Sequence, residues 1–227
     1  MAQALGEACA RRGVRRLVHV STCSVYGAAP GEMVDEETPC MPVAPYERAK
    51  HAVELVLERH AAHYEIAILR PTAVFGPHGK NLETLALRVL NQPWTRRYVR
   101  ACAMGRRRMH AVDVECVAAA ALFLAAAPLE RPAERFIVSQ DEEPQNNYAA
   151  IEAFFAQRFG AGRYPFRPLE WPSGALRAAL SLAGRSNVEP QRRYSGAKLA
   201  RRGFRAPRPF AAALDAYAAW IRQHARS

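Results

Sequence analysis

The sequence predicts an α/β fold built on a parallel sheet, and three observations support this prediction. Residues 14–20 form a short β-branched run, typical of a buried strand. Residues 46–62 follow with apolar side chains at helical spacing, and residues 66–69 form a second short strand that ends at Pro71. A strand, a loop, a long helix and another strand in this order indicate a βαβ unit.

The remaining elements are predicted from the same patterns. A helix is expected over residues 2–11, because the composition there is helical and Gly13 provides a stop. Prolines and glycines throughout residues 27–45 predict a loop. The Arg-rich segment 92–108 is predicted to be irregular. We also predict helices over residues 81–91, 115–127, 148–158, 173–183 and 208–223, and strands over residues 109–114 and 135–139.

Length and composition limit the class of protein. The 227 residues are 50% hydrophobic and 23% charged, which is typical of a globular protein with one sizeable core. The N-terminus lacks the organisation of a signal peptide, and the longest apolar run, residues 116–127, is too short to span a bilayer. Five cysteines without metal-ligand spacing predict reduced thiols, a cytoplasmic location and no metal site.

The formal net charge of +11 suggests an anionic partner. Nucleic acid and a small anionic substrate such as a nucleotide diphosphate are the two candidates. The sequence has no basic repeats interleaved with aromatic residues and no zinc-finger or helix-turn-helix signature. We therefore expect no nucleic-acid partner and favour the small anionic substrate.

A tyrosine and a lysine one helical turn apart are the central candidates for chemistry. Tyr46 and Lys50 occupy positions i and i+4 of the predicted helix and therefore share one face. An ammonium at this distance favours the phenolate form of a tyrosine, which suits Tyr46 to general acid/base chemistry. A second match to this spacing, Tyr194 and Lys198, lacks the same strand context, and we interpret it as coincidence or as surface.

Hydroxyl side chains follow the first predicted strand. They lie within residues 21–27 (STCSVYG), and a second segment, residues 69–77 (LRPTAVFGP), leaves the end of the next strand. Parallel sheets place their ligands at the carboxyl ends of their strands. A hydroxyl from the first segment is therefore expected to hydrogen-bond the substrate group that Tyr46 protonates.

In order and spacing, these motifs resemble those of the NAD-dependent epimerase/dehydratase family of extended short-chain dehydrogenases/reductases. The segments that resemble it are RRLVHVSTCSVYG, YERAK, ILRPTAVFGP, MHAVDV and a terminal KL…GF. The resemblance implies a partial Rossmann-like parallel sheet with a smaller, mostly helical C-terminal substrate lobe. The expected boundaries are residues 1–78 plus 107–140 for the sheet domain and residues 79–106 plus 141–227 for the lobe.

The resemblance also implies roles for individual residues. Thr22 matches the catalytic hydroxyl residue, Tyr46 matches the catalytic acid/base, and Lys50 matches the residue that tunes the tyrosine and binds the nicotinamide ribose. The cofactor is expected to be NAD or NADP, contacted by Tyr46, Lys50 and Thr72. The expected substrate contacts are Ser24, Arg106 and Arg185. His110 is interpreted as a structural residue.

The reaction implied by the resemblance is epimerisation of a nucleotide sugar through transient oxidation and reduction. Cys23 and Ser24 stand where family dehydratases have Asp-Glu, which argues against 4,6-dehydration. Ala73 stands where many sugar-nucleotide epimerases have asparagine. An NADP-dependent carbonyl reductase or hydroxysteroid-type dehydrogenase would explain Ala73 and is a second candidate function.

A glycine-rich strand–turn–helix motif, which holds the phosphates of a dinucleotide, does not occur in this sequence. We therefore expect that the first βαβ units of the fold are missing, that activity needs them, and that the 227 residues alone bind NAD weakly or not at all. A non-catalytic remnant is the third candidate. The resemblance also implies a homodimer formed through the helix that contains Tyr46 and the helix before it.

Overall fold

The computed structural model describes residues 1–162, 164–182 and 189–224. The helices are α1 (Ala2–Arg11), α2 (Pro45–Glu58), α3 (Glu83–Asn91), α4 (Trp94–Met104), α5 (Val114–Ala126), α6 (Tyr148–Phe159), α7 (Ser173–Leu182), α8 (Ala197–Arg201) and α9 (Phe210–His224), and a 3₁₀ helix spans Cys23–Tyr26. The strands are β1 (Arg16–Val20), β2 (Met33–Val34), β3 (Glu65–Pro71), β4 (Ala73–Phe75), β5 (Ala111–Asp113), β6 (Ala133–Val138) and β7 (Arg193–Tyr194).

The central sheet is parallel and has the strand order β1–β3–β6. Val18 of β1 lies opposite Ala67 of β3, and Ile68 of β3 lies opposite Arg135 of β6. Two shorter parallel pairs, β4 with β5 and β2 with β7, complete the strand pairing of the described residues. Because the central strands run in one direction, their carboxyl ends meet at the same edge of the sheet.

Helices cover both faces of the central sheet, and β3 supplies side chains to each. Ile66 and Ile68 pack in a core cluster with residues of α1, while Ala67 and Leu69 point to the opposite face. This alternation is the period of two expected of a strand. The second face is covered by α5, an Ala-rich helix whose buried side chains include Leu124. The sheet is therefore buried on both sides, as in other parallel α/β folds.

A second core lies beside the sheet, between α3, α6, α9 and the β4–β5 pair. Phe75, Phe155, Phe210 and Tyr217 are almost fully buried there, and Phe75 contacts the rings of Phe210 and Tyr217 edge-on. Aromatic side chains of this size dominate the burial energy of a core.

The predicted fold class, α/β with a parallel sheet, is confirmed. The predicted helices and strands are found close to their expected positions, although α2 ends at Glu58 rather than at residue 62. The prediction that residues 92–108 are irregular is wrong, because α4 occupies most of that segment. Its arginines mask a helical pattern in which Arg97 is buried against Glu152 of α6, with their side-chain N and O atoms 2.8 Å apart. The boundaries of the two predicted domains stay a prediction.

The described part of the chain has neither a membrane-spanning helix nor a cluster of metal-ligating side chains. None of the helices there has the length and apolar character needed to cross a membrane. The same residues contain no group of three His, Cys, Asp or Glu side chains placed to hold a metal ion. The five cysteines are free thiols.

Candidate active site

A cavity of about 410 Å³ lies at the carboxyl edge of the central sheet. Its walls are formed by the loop after β1, the start of α2, the link from β3 to β4, Asn81, the two residues just before β5, and Tyr194 of β7. The lining residues are Ser21, Thr22, Cys23, Ser24, Gly27, Tyr46, Glu47, Pro71, Thr72, Ala73, Val74, Asn81, Met109, His110 and Tyr194.

Thr22 begins the 3₁₀ helix that follows β1. Its backbone is extended, with φ of −161°, and its hydroxyl oxygen accepts a hydrogen bond from the Ser24 amide at 3.1 Å. The two hydroxyl oxygens of Thr22 and Ser24 lie 3.2 Å apart. This capping arrangement fixes the Thr22 side chain at the cavity wall.

Tyr46 lies in the first turn of α2, beside the same cavity. Pro45 is the first residue of the helix, where its missing N–H is not needed. Glu47 accepts hydrogen bonds from the amides of Val43 and Ala44, at 2.8 and 3.0 Å, and so closes the end of the helix. The phenol of Tyr46 is 58% exposed, which leaves it accessible to a ligand.

Lys50 lies one turn further along α2 and is half-buried, but it is not a lining residue of the cavity. Its charge influences His19 in β1. Burial is the main cause that lowers the pKa of His19 below its ordinary value of 6.5, and the positive charge of Lys50 is the second. The structure therefore brings Thr22 and Tyr46 to one cavity, and Lys50 lies one helical turn from the tyrosine, outside the lining. The assigned catalytic roles stay predictions.

The other sequence-predicted site residues divide into two groups. Ser24 and Thr72 line the cavity, and the Thr72 amide donates to the Val138 carbonyl at 3.1 Å, which holds the β3–β4 link against β6. Arg106 lies in a different cleft, with a side chain 70% exposed and 3.6 Å from Glu170. Arg185 lies outside the described residues.

A buried ion pair supports the cavity from behind. The Nε and Nη2 atoms of Arg70 donate to the carboxylate of Glu54 at 3.1 and 2.6 Å, and both side chains are 1% exposed. The guanidinium carbon of Arg70 lies 4.8 Å from the ring centre of Tyr26. The Sγ atom of Cys23 lies 3.1 Å from the Arg70 carbonyl oxygen. The loop after β1 is thereby held to the end of β3.

A contact between the C-terminal part of the chain and the loop after β1 was not predicted from the sequence. Arg192 is 2% exposed and donates to the carbonyls of Gly27 and Ala29, at 3.0 and 2.5 Å. The neighbouring strand β7 pairs with β2 inside the segment predicted as loop. Strands of two residues leave no periodic signal, and a buried arginine looks like any other arginine in a sequence with 32 Lys and Arg residues.

Tyr194 in β7 is also part of the cavity, so of the two interpretations of the second spacing match, coincidence or surface, the surface one is wrong. It is 6% exposed and its ring centre lies 6.2 Å from that of Tyr26. Burial raises the pKa of Tyr194 to about 12. Lys198, its partner in the second spacing match, donates instead to the Arg135 carbonyl at 2.9 Å. The second match is therefore a packing feature rather than a second acid/base pair.

The cavity therefore combines a hydroxyl and a tyrosine at the carboxyl edge of a parallel sheet. Residues 1–139 match the model of the NAD dependent epimerase/dehydratase family. The chain belongs to this family.

Curated relatives match shorter segments. A dTDP-glucose 4,6-dehydratase of Streptomyces niveus is 42% identical over 78 residues, which are 34% of this chain and 23% of that protein. UDP-arabinose 4-epimerase 1 of Arabidopsis thaliana is 33% identical over 63 residues, 28% of this chain and 15% of that protein. Each match thus covers less than a quarter of the relative's own length.

Solved structures match nearly the whole chain. UDP-glucuronic acid 4-epimerase from Bacillus cereus, in complex with NAD, has a TM-score of 0.72 and 17% identity, covering 98% of this chain and 66% of that one. A dTDP-glucose 4,6-dehydratase from Streptomyces venezuelae has a TM-score of 0.65 and 20% identity, covering 98% and 65%. At these identities the likeness shows the fold, and the chain spans about two thirds of each structure.

Proposed function

We propose that this chain provides the catalytic residues of an NAD-dependent enzyme that epimerises a nucleotide sugar by transient oxidation and reduction. The observation that supports the proposal is the presence of Thr22 and Tyr46 in one cavity at the carboxyl edge of a parallel sheet. Membership of the family supports a nicotinamide cofactor. Relatives named for UDP and dTDP sugars support the substrate class.

The groups at this edge suit the nicotinamide end of a dinucleotide, because hydroxyl, phenol and strand-end backbone all offer hydrogen bonds to a ribose. Tyr46, Lys50 and Thr72 would hold that end. When bound, the cofactor supplies the acceptor and donor of hydride. The Tyr46 phenolate takes the proton of the sugar hydroxyl and later returns it, and the Thr22 hydroxyl hydrogen-bonds the same oxygen. Lys50 stabilises the phenolate by its charge.

The residues next to Thr22 favour epimerisation over dehydration. Elimination of water needs an acid and a base beside the sugar. Cys23 is 3% exposed, its sulfur contacts the Arg70 carbonyl, and burial raises the pKa of its thiol well above the ordinary range. Ser24 offers only a hydroxyl to the cavity. Neither side chain can replace a carboxyl pair.

A net NADP-dependent carbonyl reductase is the second candidate, and one observation favours it. Ala73 lines the cavity at the start of β4, where its methyl group offers no amide to the hydroxyls of a sugar. A less polar wall at this point would suit a ketone. Product analysis separates the two functions, because a reductase consumes reduced cofactor and an epimerase does not.

The family fold binds phosphates through a glycine-rich turn, which this sequence does not contain. We propose that activity requires such a turn, so turnover is best measured on a chain that also contains one. NAD titrated into the 227 residues alone is expected to bind weakly or not at all. Tight, saturable binding to this chain would overturn that expectation.

Turnover is tested by incubating the enzyme with NAD and a panel of UDP and dTDP sugars, with the products identified by NMR. We expect an epimer to form, and Tyr46→Phe to lower kcat by at least about 100-fold, the usual contribution of a general acid/base. Tyr98→Phe is the matched control, because its hydroxyl contacts the Arg167 carbonyl at 3.3 Å, outside the cavity. Full activity of Tyr46→Phe, or reduction of ketones without epimer formation, would reject the proposal.

A homodimer is a further part of the proposal. Leu5 on α1 and Leu55 on α2 are 47% and 44% exposed, and the two helices pack against each other. A four-helix contact between two copies would cover these side chains. A monomer at micromolar concentration in analytical ultracentrifugation would exclude it.

A further inference from the structure

His110 forms a close pair with a buried carboxylate at the cavity. It lines the cavity immediately before β5, and its Nδ1 atom lies 2.7 Å from Oδ2 of Asp141. The side chain of Asp141 is 1% exposed and that of His110 is 14% exposed. The carboxylate is therefore shielded from water while the imidazole still reaches the cavity surface.

Asp141 is held in place by four further hydrogen bonds, and its carbonyl accepts one of them from Nη1 of Arg108 at 3.1 Å. Its Oδ2 accepts from the Tyr194 amide at 2.9 Å and its Oδ1 accepts from the Asn146 side chain at 3.3 Å. Its own amide donates to the Ser139 hydroxyl at 3.0 Å. The edge of the His110 ring also meets the ring of Tyr194, with centres 5.1 Å apart. The imidazole is thus fixed in position on two sides.

The protonation pattern of the ring follows from this geometry. A buried carboxylate only accepts hydrogen bonds, so we assign the proton to Nδ1 of His110. In the neutral ring, Nε2 then carries a lone pair. Among residues 1–162, 164–182 and 189–224, Asp141 is the only side-chain hydrogen-bond partner of the ring. Nε2 is therefore available to a ligand in the cavity.

The backbone of His110 is also unusual. Its φ is +53°, in the left-handed region that is unfavourable for a residue with a side chain. The conformation is maintained by the carbonyl of His110, which accepts from the Ala73 amide at 2.8 Å, and by the Asp141 contact. Strained backbone of this kind is concentrated at ligand-binding sites.

We propose that His110 is a substrate-contacting residue of this cavity, whose Nε2 forms a hydrogen bond with a hydroxyl of the sugar while Asp141 positions the ring. This inference rests on the proposed function and specifies which part of the nucleotide sugar is recognised. A sugar hydroxyl both donates and accepts, so it can pair with Nε2 whether or not that nitrogen carries a proton, whereas a phosphate oxygen only accepts. The partner is therefore the sugar rather than the diphosphate.

The test compares UDP-glucose with UDP, which lacks the sugar, by calorimetric titration of the 227-residue chain. His110→Asn removes the imidazole and keeps a residue that tolerates positive φ. We expect it to weaken binding of UDP-glucose about tenfold, the upper range for one hydrogen bond, and to change UDP binding less than twofold. His78→Asn is the matched control, because His78 also has a positive φ, of +63°, and is not a lining residue.

The possible results separate this inference from the proposed function. Equal loss of both ligands in His110→Asn, or loss of neither, overturns the role of His110 alone. If the unchanged chain binds neither ligand, the proposed substrate class is wrong and the inference fails with it. If His110→Asn fails to fold, a measurement on the unchanged chain still tests the proposal. In ¹⁵N NMR spectra of the imidazoles, the Nε2 signal of His110 should shift when UDP-glucose is added and not when UDP is added. An unchanged signal in the presence of bound UDP-glucose overturns the proposal.

Discussion

The buried ion pair of Glu54 and Arg70 allows a strong test of how much the charges beside the cavity contribute to the free energy of unfolding. The perturbation is Glu54→Gln, which keeps the size of the side chain and one acceptor oxygen but removes the negative charge. Both charged groups are 1% exposed, so water cannot replace the lost partner. The guanidinium of Arg70 would be left buried without a counter-charge, in contact with the ring of Tyr26.

The magnitude follows from this burial. Removing one partner of a buried ion pair costs about 3–5 kcal/mol of the free energy of unfolding. The amide oxygen of the glutamine and the Tyr26 ring both remain beside Arg70, so we expect the lower end, about 3 kcal/mol. For a chain of this size that corresponds to a decrease in Tm of roughly 6–12 °C.

The assay is urea unfolding followed by circular dichroism, and the chain provides a matched control. Arg158 and Asp215 lie at a similar distance, 2.8 Å, but both side chains are 50% exposed. Asp215→Asn should therefore cost at most about 1 kcal/mol. The double variant Glu54→Gln with Arg70→Met should be more stable than Glu54→Gln alone, because no unpaired charge remains. A cost for Glu54→Gln no larger than that for Asp215→Asn would refute the reasoning.

Two further predictions concern a turn and the response to pH. Gly27 has φ of +48°, and a Cβ atom there would collide with the Met41 carbonyl oxygen. Gly27→Ala should therefore lower the free energy of unfolding by more than about 2 kcal/mol in urea, because roughly 1–2 kcal/mol of backbone strain adds to the clash. Gly13→Ala, with φ of +62° and no atom within 4 Å, should show the strain alone, and equal costs for both would contradict this explanation. Burial, and after it the charge of Lys50, lowers the pKa of His19 in the folded chain. The unfolded chain therefore binds a proton at His19 more readily, and the free energy of unfolding should fall as the pH decreases below about 6.5. Unfolding at pH values above and below that point should show a smaller fall in His19→Asn, and an unchanged pH dependence would contradict the assignment.

The sequence predicted most of the fold, because hydrophobic periodicity reports directly on helices and strands. It failed for α4, where buried Arg97 pairs with Glu152 on a helix 55 residues away. A charged residue at a core position contradicts the expected pattern, and only the folded chain shows its partner. The pairing of β2 with β7 was missed for the same reason, because its partners are far apart in sequence.

The candidate site was predicted in part. Thr22 follows the end of a strand and Tyr46 lies in the first turn of a helix, and each belongs to a recognisable motif. The structure places both at the cavity. Asp141 and Arg192 belong to no motif, and Tyr194 belongs only to the second Tyr/Lys match. The positions of all three depend on how the C-terminal segments return to the sheet. Local patterns identify groups on the strands that form the sheet edge. They do not identify groups brought to that edge by distant segments.

The two carbonyls held by Arg192 have a consequence for how the cavity can open. If the loop at Gly27 moved away from the C-terminal segment, two carbonyl oxygens would lose their donor and a guanidinium would be left in an apolar space. Because that separation is costly, the loop and the strand that contains Tyr194 are expected to move as a single unit. Entry of a ligand would then depend on movement of another part of the cavity wall, such as the exposed side chain of Tyr46.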